Sequence, residues 1–287
     1  MRWRGRRQSS NVEDRRSIGG GTVRRAGGGS ILFLIIAVVA GYFLGIDPRQ
    51  LIGALDGGMP GQTTQQQTSR SSAADDEKKR FVSVVLAETE DVWKRVFKEN
   101  GARYSEPTLV LFSGQVRSAC GFASAASGPF YCPGDKKVYI DLAFYEELKR
   151  KFSAPGDFAQ AYVIAHEIGH HVQNLTGVLP EFNRRRASLG KNEANALSVR
   201  VELQADCYAG VWAHYTNQKG LLESGDIEEA LNAAHQIGDD AIQKRTQGYV
   251  VPDAFNHGSS AQRARWFRAG LKSGNVSDCD TFTPSSL

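Results

Sequence analysis

Residues 165–171 read Ala165-His166-Glu167-Ile168-Gly169-His170-His171, and the architecture of the chain hangs on these seven positions. His166 and His170 are four residues apart, so on an α-helix their imidazoles leave one face and can share a tetrahedral zinc ion. Glu167 sits beside them, placed to take a proton from water on that ion. Ala161, Ile164, Ile168, Val172 and Leu175 fall on the opposite face, which gives the helix one side for a core and one for a cleft. The spacing predicts a helix from about Asp157 to about Leu175, with Gly177 as its stop.

Two imidazoles are too few, because a catalytic zinc takes three protein ligands and keeps a fourth position open. The stretch Val201-Glu202-Leu203-Gln204-Ala205-Asp206 offers two carboxylates four apart on a second expected helix, residues 192–217. One carboxylate can bind metal while the other orients a ligand histidine; a solvated helix face is the plainer reading of the same spacing. His171, His214, His235 and His257 compete for the third place, and His171 lies on a different helical face from His166. Amide hydrolysis builds negative charge on the carbonyl oxygen, which a nearby donor stabilises. His257 and Arg263, within His257-Gly258-Ser259-Ser260-Ala261-Gln262-Arg263, are the candidates for that donor. A helix cap and a surface ion pair are the plainer alternative. Tyr208 and Tyr215 read as core aromatics, and His235 as a partly buried helix residue.

Working outward, apolar positions recur at helical spacing over residues 81–99, behind Asp226 over residues 227–245, and over residues 260–272. Pro107 to Phe112 is rich in strand formers, and Phe130-Tyr131-Cys132 and Val138-Tyr139-Ile140 flank the turn Pro133-Gly134-Asp135. Many helices with a few short strands predict an α+β fold, mostly helical with a small sheet. By analogy with other metallopeptidases, the Val138–Asp141 strand would offer its edge to an extended substrate. The four cysteines, Cys120, Cys132, Cys207 and Cys279, form no CxxC pair, which speaks against a zinc ribbon or a thioredoxin-type couple. Two disulfides, Cys120–Cys132 and Cys207–Cys279, are expected, since the first pair flanks a compact loop; four reduced buried thiols are the alternative.

At 41% hydrophobic and 23% charged residues, the chain of 287 is ordinary globular material, which excludes wholesale disorder and collagen-like structure. Residues 1–30 carry eight Arg against Glu13 and Asp14, a charge of +6, which leaves −2 for the rest against a net of +4. The folded part is therefore not a nucleic-acid-seeking body, and no nucleic-acid partner is expected. Residues 31–46, ILFLIIAVVAGYFLGI, hold no charge, and with Gly27 to Ser30 they reach the length of a bilayer span. A cleaved signal peptide, with Val38 and Ala40 before the cut, is the alternative. The expected organisation is an Arg-rich cytoplasmic tail over 1–26, a transmembrane helix through the lipid bilayer over 27–46, a flexible linker over 47–78 and one extracytoplasmic domain over 79–287.

HEIGHHVQ, ELQADCYAGVW, HGSSAQRARWF and the upstream SACGFASAASGPFYCPGDKKVYID together resemble the bacterial YpfJ-type neutral zinc metallopeptidases. The Arg-rich start and single apolar run are similar too, and a looser similarity runs to HtpX-like membrane peptidases. The resemblance implies a zincin-like domain holding one zinc ion (Zn2+) per chain on His166, His170 and Glu202. Asp206 would then support a ligand histidine and Glu167 would be the catalytic base. The resemblance supplies no substrate; a protein or peptide substrate is expected from the HExxH motif, and the Arg-rich flank of the apolar run places the domain on the periplasmic side of the bacterial inner membrane. A catalytically silent zinc-binding scaffold and an amidase acting on non-protein amide bonds are the alternatives.

Overall fold

The computed structural model describes residues 1–16, 73–124, 128–285 and 287. Its sheet is built from β1 (Val12–Asp14), β2 (Thr108–Phe112), β5 (Phe130–Cys132) and β6 (Lys137–Asp141), while β3 (Gln115–Ser118) and β4 (Gly121–Ser124) form a separate antiparallel hairpin. Leu109 to Phe112 and Val138 to Ile140 are buried without alternation, as strands covered on both faces are. They pair in parallel, Leu109 opposite Val138 and Leu111 opposite Ile140. The order is β1-β2-β6-β5, with β5 antiparallel to β6. The strand expected to present its edge, Val138–Asp141, is therefore interior, and β5 is the edge instead.

Helices pack on the sheet face of Leu109, Leu111, Val138 and Ile140, and the hairpin covers the face of Val110, Phe112 and Tyr139. The helices are α1 (Ala73–Glu99), α2 (Ala143–Arg150), α3 (Asp157–Leu175), α4 (Val178–Arg186), α5 (Lys191–Gln218), α6 (Asp226–Gln236), α7 (Asp239–Gln247) and α8 (Ser260–Ser273). The mostly helical α+β reading holds. Helix α1 opens at Ala73, inside the stretch read as linker, because Asp75 and Asp76 place negative charge on its first turn. The helix expected over 227–245 is broken between Gln236 and Asp239. At the break the Ile237 carbonyl accepts from Arg263, and the Ser260 hydroxyl donates to the His235 carbonyl. Ser259 and Gln262 cap α8 reciprocally. Helices α5 and α8 pack so closely that a Cβ at Gly210 would run into the Phe267 carbonyl.

Residues 1–16 belong to this same body rather than to a separate tail over 1–26. Met1 and Trp3 are buried, and Trp3 meets Phe81 edge-on with ring centroids 5.4 Å apart. The Met1 ammonium lies 2.6 Å from Asp157 and 3.2 Å from Asp226, at the openings of α3 and α6. Arg6 and Arg7 pair with Glu88 and Glu90 of α1, both only 2% exposed. Removing one member of such a pair would strand a buried charge. Val12 to Asp14 then pair with Leu109 to Leu111 as an edge strand. The folded unit is thus residues 1–16 together with those from 73 on. Among the described residues no helix is long and apolar enough to cross a membrane, and the span expected over 27–46 lies outside them.

Both disulfides, Cys120–Cys132 and Cys207–Cys279, are formed. The second ties α5, one residue past Asp206, to the 3-10 turn Val276–Cys279 across 72 positions of sequence. Closing a loop of that length removes about 4 kcal/mol of unfolded-state entropy. Replacing Cys207 and Cys279 with Ala should therefore lower the melting temperature by on the order of 10 °C. A variant melting with the wild type would show that the crosslink contributes nothing.

Candidate active site

Two helices build the site, and their closeness depends on Gly169. A Cβ there would stand 2.9 Å from the Ala205 carbonyl oxygen, so α3 can lie against α5 only with no side chain at this position. The approach brings Glu202 under both imidazoles: its carboxylate oxygens lie 3.2 Å from His166 Nε2 and 3.5 Å from His170 Nε2. One donor atom from each of the three residues falls within 4.8 Å of the others.

The opposite nitrogen of each ring is already engaged. His166 Nδ1 is 2.8 Å from Asp206 Oδ1, and His170 Nδ1 is 2.8 Å from Gln173 Oε1. The Gln173 amide nitrogen donates to the Val201 carbonyl and to Gln204 Oε1, so its oxygen must face His170 and accept. Both Nδ1 atoms are therefore donors, and both Nε2 atoms face Glu202, where each donates a second proton to the carboxylate in the metal-free ring or would offer a lone pair to a metal ion. Two nitrogens and one carboxylate oxygen, with tautomers fixed from behind, suit a zinc ion that keeps one position open. Burial alone would push the His166 ring down, but Asp206 and then Glu202 outweigh it and raise it to about 10. The opposing imidazoles hold Glu202 well below the usual carboxylate range despite its burial. A divalent cation replaces such trapped protons, so zinc uptake near neutrality releases them.

Asp206 is fully buried and holds three side chains together. It accepts from the Tyr162 hydroxyl at 2.5 Å and from Arg263 Nε and Nη2 at 2.9 and 3.0 Å, besides facing His166. Arg263 is 3% exposed and also donates to Tyr162 and the Ile237 carbonyl. Its guanidinium stands on the Nδ1 side of His166, where it backs Asp206, and it also lines the cavity that His166, Glu167 and His170 line. His257 lines the same cavity, and its side chain is half exposed. Asp239 steers it, lying 3.2 Å from its Nδ1 and accepting the backbone N–H groups of Asn256, His257 and Gly258. Glu167 is 8% exposed in the cavity wall, and among the described residues none hydrogen-bonds its carboxylate.

The remaining candidates lie elsewhere. His214 faces the Leu271 carbonyl and Gln218, His235 is exposed on α6, Tyr208 packs on Trp93, and Tyr215 lies under Arg95. His171 fastens the sheet to α3: its Nε2 donates to the Ser105 carbonyl at 2.7 Å and its Nδ1 accepts from the Tyr131 hydroxyl at 3.0 Å. Asn174 donates to the same hydroxyl. Burial pushes the His171 imidazole down to about 4. Between that value and the unfolded value near 6.5 the unfolded chain binds a proton that the folded chain does not, so stability falls as pH falls through this window. At pH 5 the loss from this ring amounts to about 2 kcal/mol relative to pH 8. In urea unfolding, going from pH 8 to pH 5 should cost the wild type about 2 kcal/mol more than it costs His171→Gln; equal changes in the two proteins would exclude the ring as a source.

The motif helix, the distant carboxylate and the supporting ion pair lie within a chain whose residues 1–282 match the family model described as "Putative neutral zinc metallopeptidase". The chain belongs to this family. It is 51% identical over 294 aligned positions to the uncharacterised protein YpfJ of Escherichia coli K12, covering 99% of this chain and 100% of that one. An uncharacterised protein of Mycobacterium tuberculosis H37Rv is 45% identical over 219 positions, covering 72% of this chain and 73% of that one. No solved structure matches the chain. Four residues that shape this site, Tyr162, Gln173, Gln204 and Asp239, escaped the sequence reading. Tyr162, four before His166, and Gln173, three after His170, carried a signal in their helical spacing. Gln204 and Asp239 carried none, because what they touch depends on how separate helices meet.

Proposed function

We propose that the chain is a zincin-type endopeptidase that hydrolyses peptide bonds with one zinc ion held by His166, His170 and Glu202. The observation that carries this reading is the convergence of two backed Nε2 atoms and one carboxylate beside Glu167, in the wall of an open cavity of about 410 Å3. Zinc bound there supplies Lewis acidity, polarising a carbonyl and making water acidic enough to react near neutral pH. Glu167 takes the proton from the attacking water and hands it to the leaving amine nitrogen. His257, aimed by Asp239, donates a hydrogen bond to the oxygen on which charge develops. Asp206 and Arg263 keep the His166 ring in its tautomer and plane. The two disulfides favour an oxidising compartment outside the cytoplasm.

Zinc-loaded protein should cut an unfolded substrate such as casein, stop on addition of a chelator and resume on return of zinc. Full zinc occupancy without cleavage would leave a silent scaffold, and turnover confined to non-protein amides would make the enzyme an amidase.

A further inference from the structure

Resting on the peptidase reading, we infer that selectivity comes from one large apolar substrate side chain seated next to the scissile bond, in the cavity walled by Phe130, Phe144, Phe152, Val163, Ile237 and Ile242. These six come from five separate parts of the fold. Phe130 is on the edge strand β5, Phe144 on α2 with Phe152 just after it, Val163 on α3, Ile237 at the break after α6, and Ile242 on α7. The break that sequence periodicity did not foresee is what turns Ile237 and Ile242 onto one wall. His166, Glu167, His170 and Glu202 line the same space, so a side chain seated among these apolar groups belongs to a residue beside the reacting carbonyl.

The charged groups in that lining are the zinc-site residues, His257 and Arg263, and Arg263 is already bound to Asp206. A carboxylate or ammonium seated among the apolar groups would lose its hydration with no partner, which is costly, whereas a phenyl or isobutyl group gains by leaving water. A second groove shares Tyr131, His170, Glu202 and His257 with the first and so adjoins it at the metal position. Its remaining wall is mixed, with Leu179 and Phe182 beside Asn183, Arg186, Ser198 and Asn256. That groove tolerates polar and apolar residues alike. The enzyme thus chooses by one position and accepts broadly at the other.

The test separates this inference from the peptidase reading. Zinc-loaded Glu167→Gln chain is titrated calorimetrically with blocked glycine hexapeptides carrying one Phe, one Asp or neither. A single probe residue slides to whichever register fills the cavity, so the side of the scissile bond need not be known beforehand. The Phe peptide should bind about tenfold more tightly than the other two, and Ile242→Lys or Phe152→Gln in the same background should cut that ratio to about twofold. Equal affinities for the three peptides overturn the inference without any cavity variant. A Phe preference that survives in folded Ile242→Lys and Phe152→Gln chains overturns it too. If the preference holds but wild-type protein cuts no casein, the peptidase reading fails and the pocket stands. If casein is cut at bonds with no large apolar neighbour, the pocket fails and the peptidase reading stands.

Discussion

Glu167→Gln keeps its zinc and loses turnover by on the order of 10³-fold. The size follows from what a positioned proton acceptor contributes to a reaction that must move a proton from water to a leaving amine. The substitution changes neither shape nor packing at a residue 8% exposed in the cavity wall, and Glu167 is not among the three groups that surround the metal position. An amide cannot accept the proton, so binding and chemistry part company. Metal analysis of the purified variant beside its kcat on a peptide reads both. Turnover at the wild-type rate would remove Glu167 from the chemistry, while loss of zinc would recast it as part of the metal site.

Asp206→Asn weakens zinc binding about 10- to 100-fold and lowers stability by about 3–5 kcal/mol. Both effects come from one carboxylate that serves two cations. Its Oδ1 orients His166, and its Oδ2 accepts from the Nε of Arg263, a guanidinium that is 3% exposed. Asn can still offer one oxygen, but its NH2 must then face either the imidazole N–H or the Arg263 donors, and the buried positive charge loses its counter-ion. Competition with a fluorescent chelator measures the first effect and urea unfolding the second. Zinc affinity within twofold of wild type would mean that Asp206 does not support His166, whatever happens to stability.

Much of the site was legible before any coordinates, because its rules are local. An interval of four residues puts His166 with His170, and Glu202 with Asp206, on single helix faces, and that follows from helix geometry alone. The bounds of α3 and α5 were equally readable from apolar spacing and stop signals. The docking of residues 1–16 was not, since Arg6 answers Glu88 and Val12 answers Leu109 across 82 and 97 positions of sequence. A run of arginines looks the same whether it is solvated or paired.

By itself the amino-acid sequence determined which side chains share a helix face, where the two site helices run and which family the chain joins. Those properties depend on neighbours within a few residues and on residue type. Only tertiary structure decided that Glu202 reaches both imidazoles, that Arg263 backs Asp206, and that β5 forms the sheet edge. Each of these depends on the distance and rotation between packed helices and strands. Contacts such as Gly169 against Ala205 set that distance, and close packing transmits it to side chains far apart in the chain.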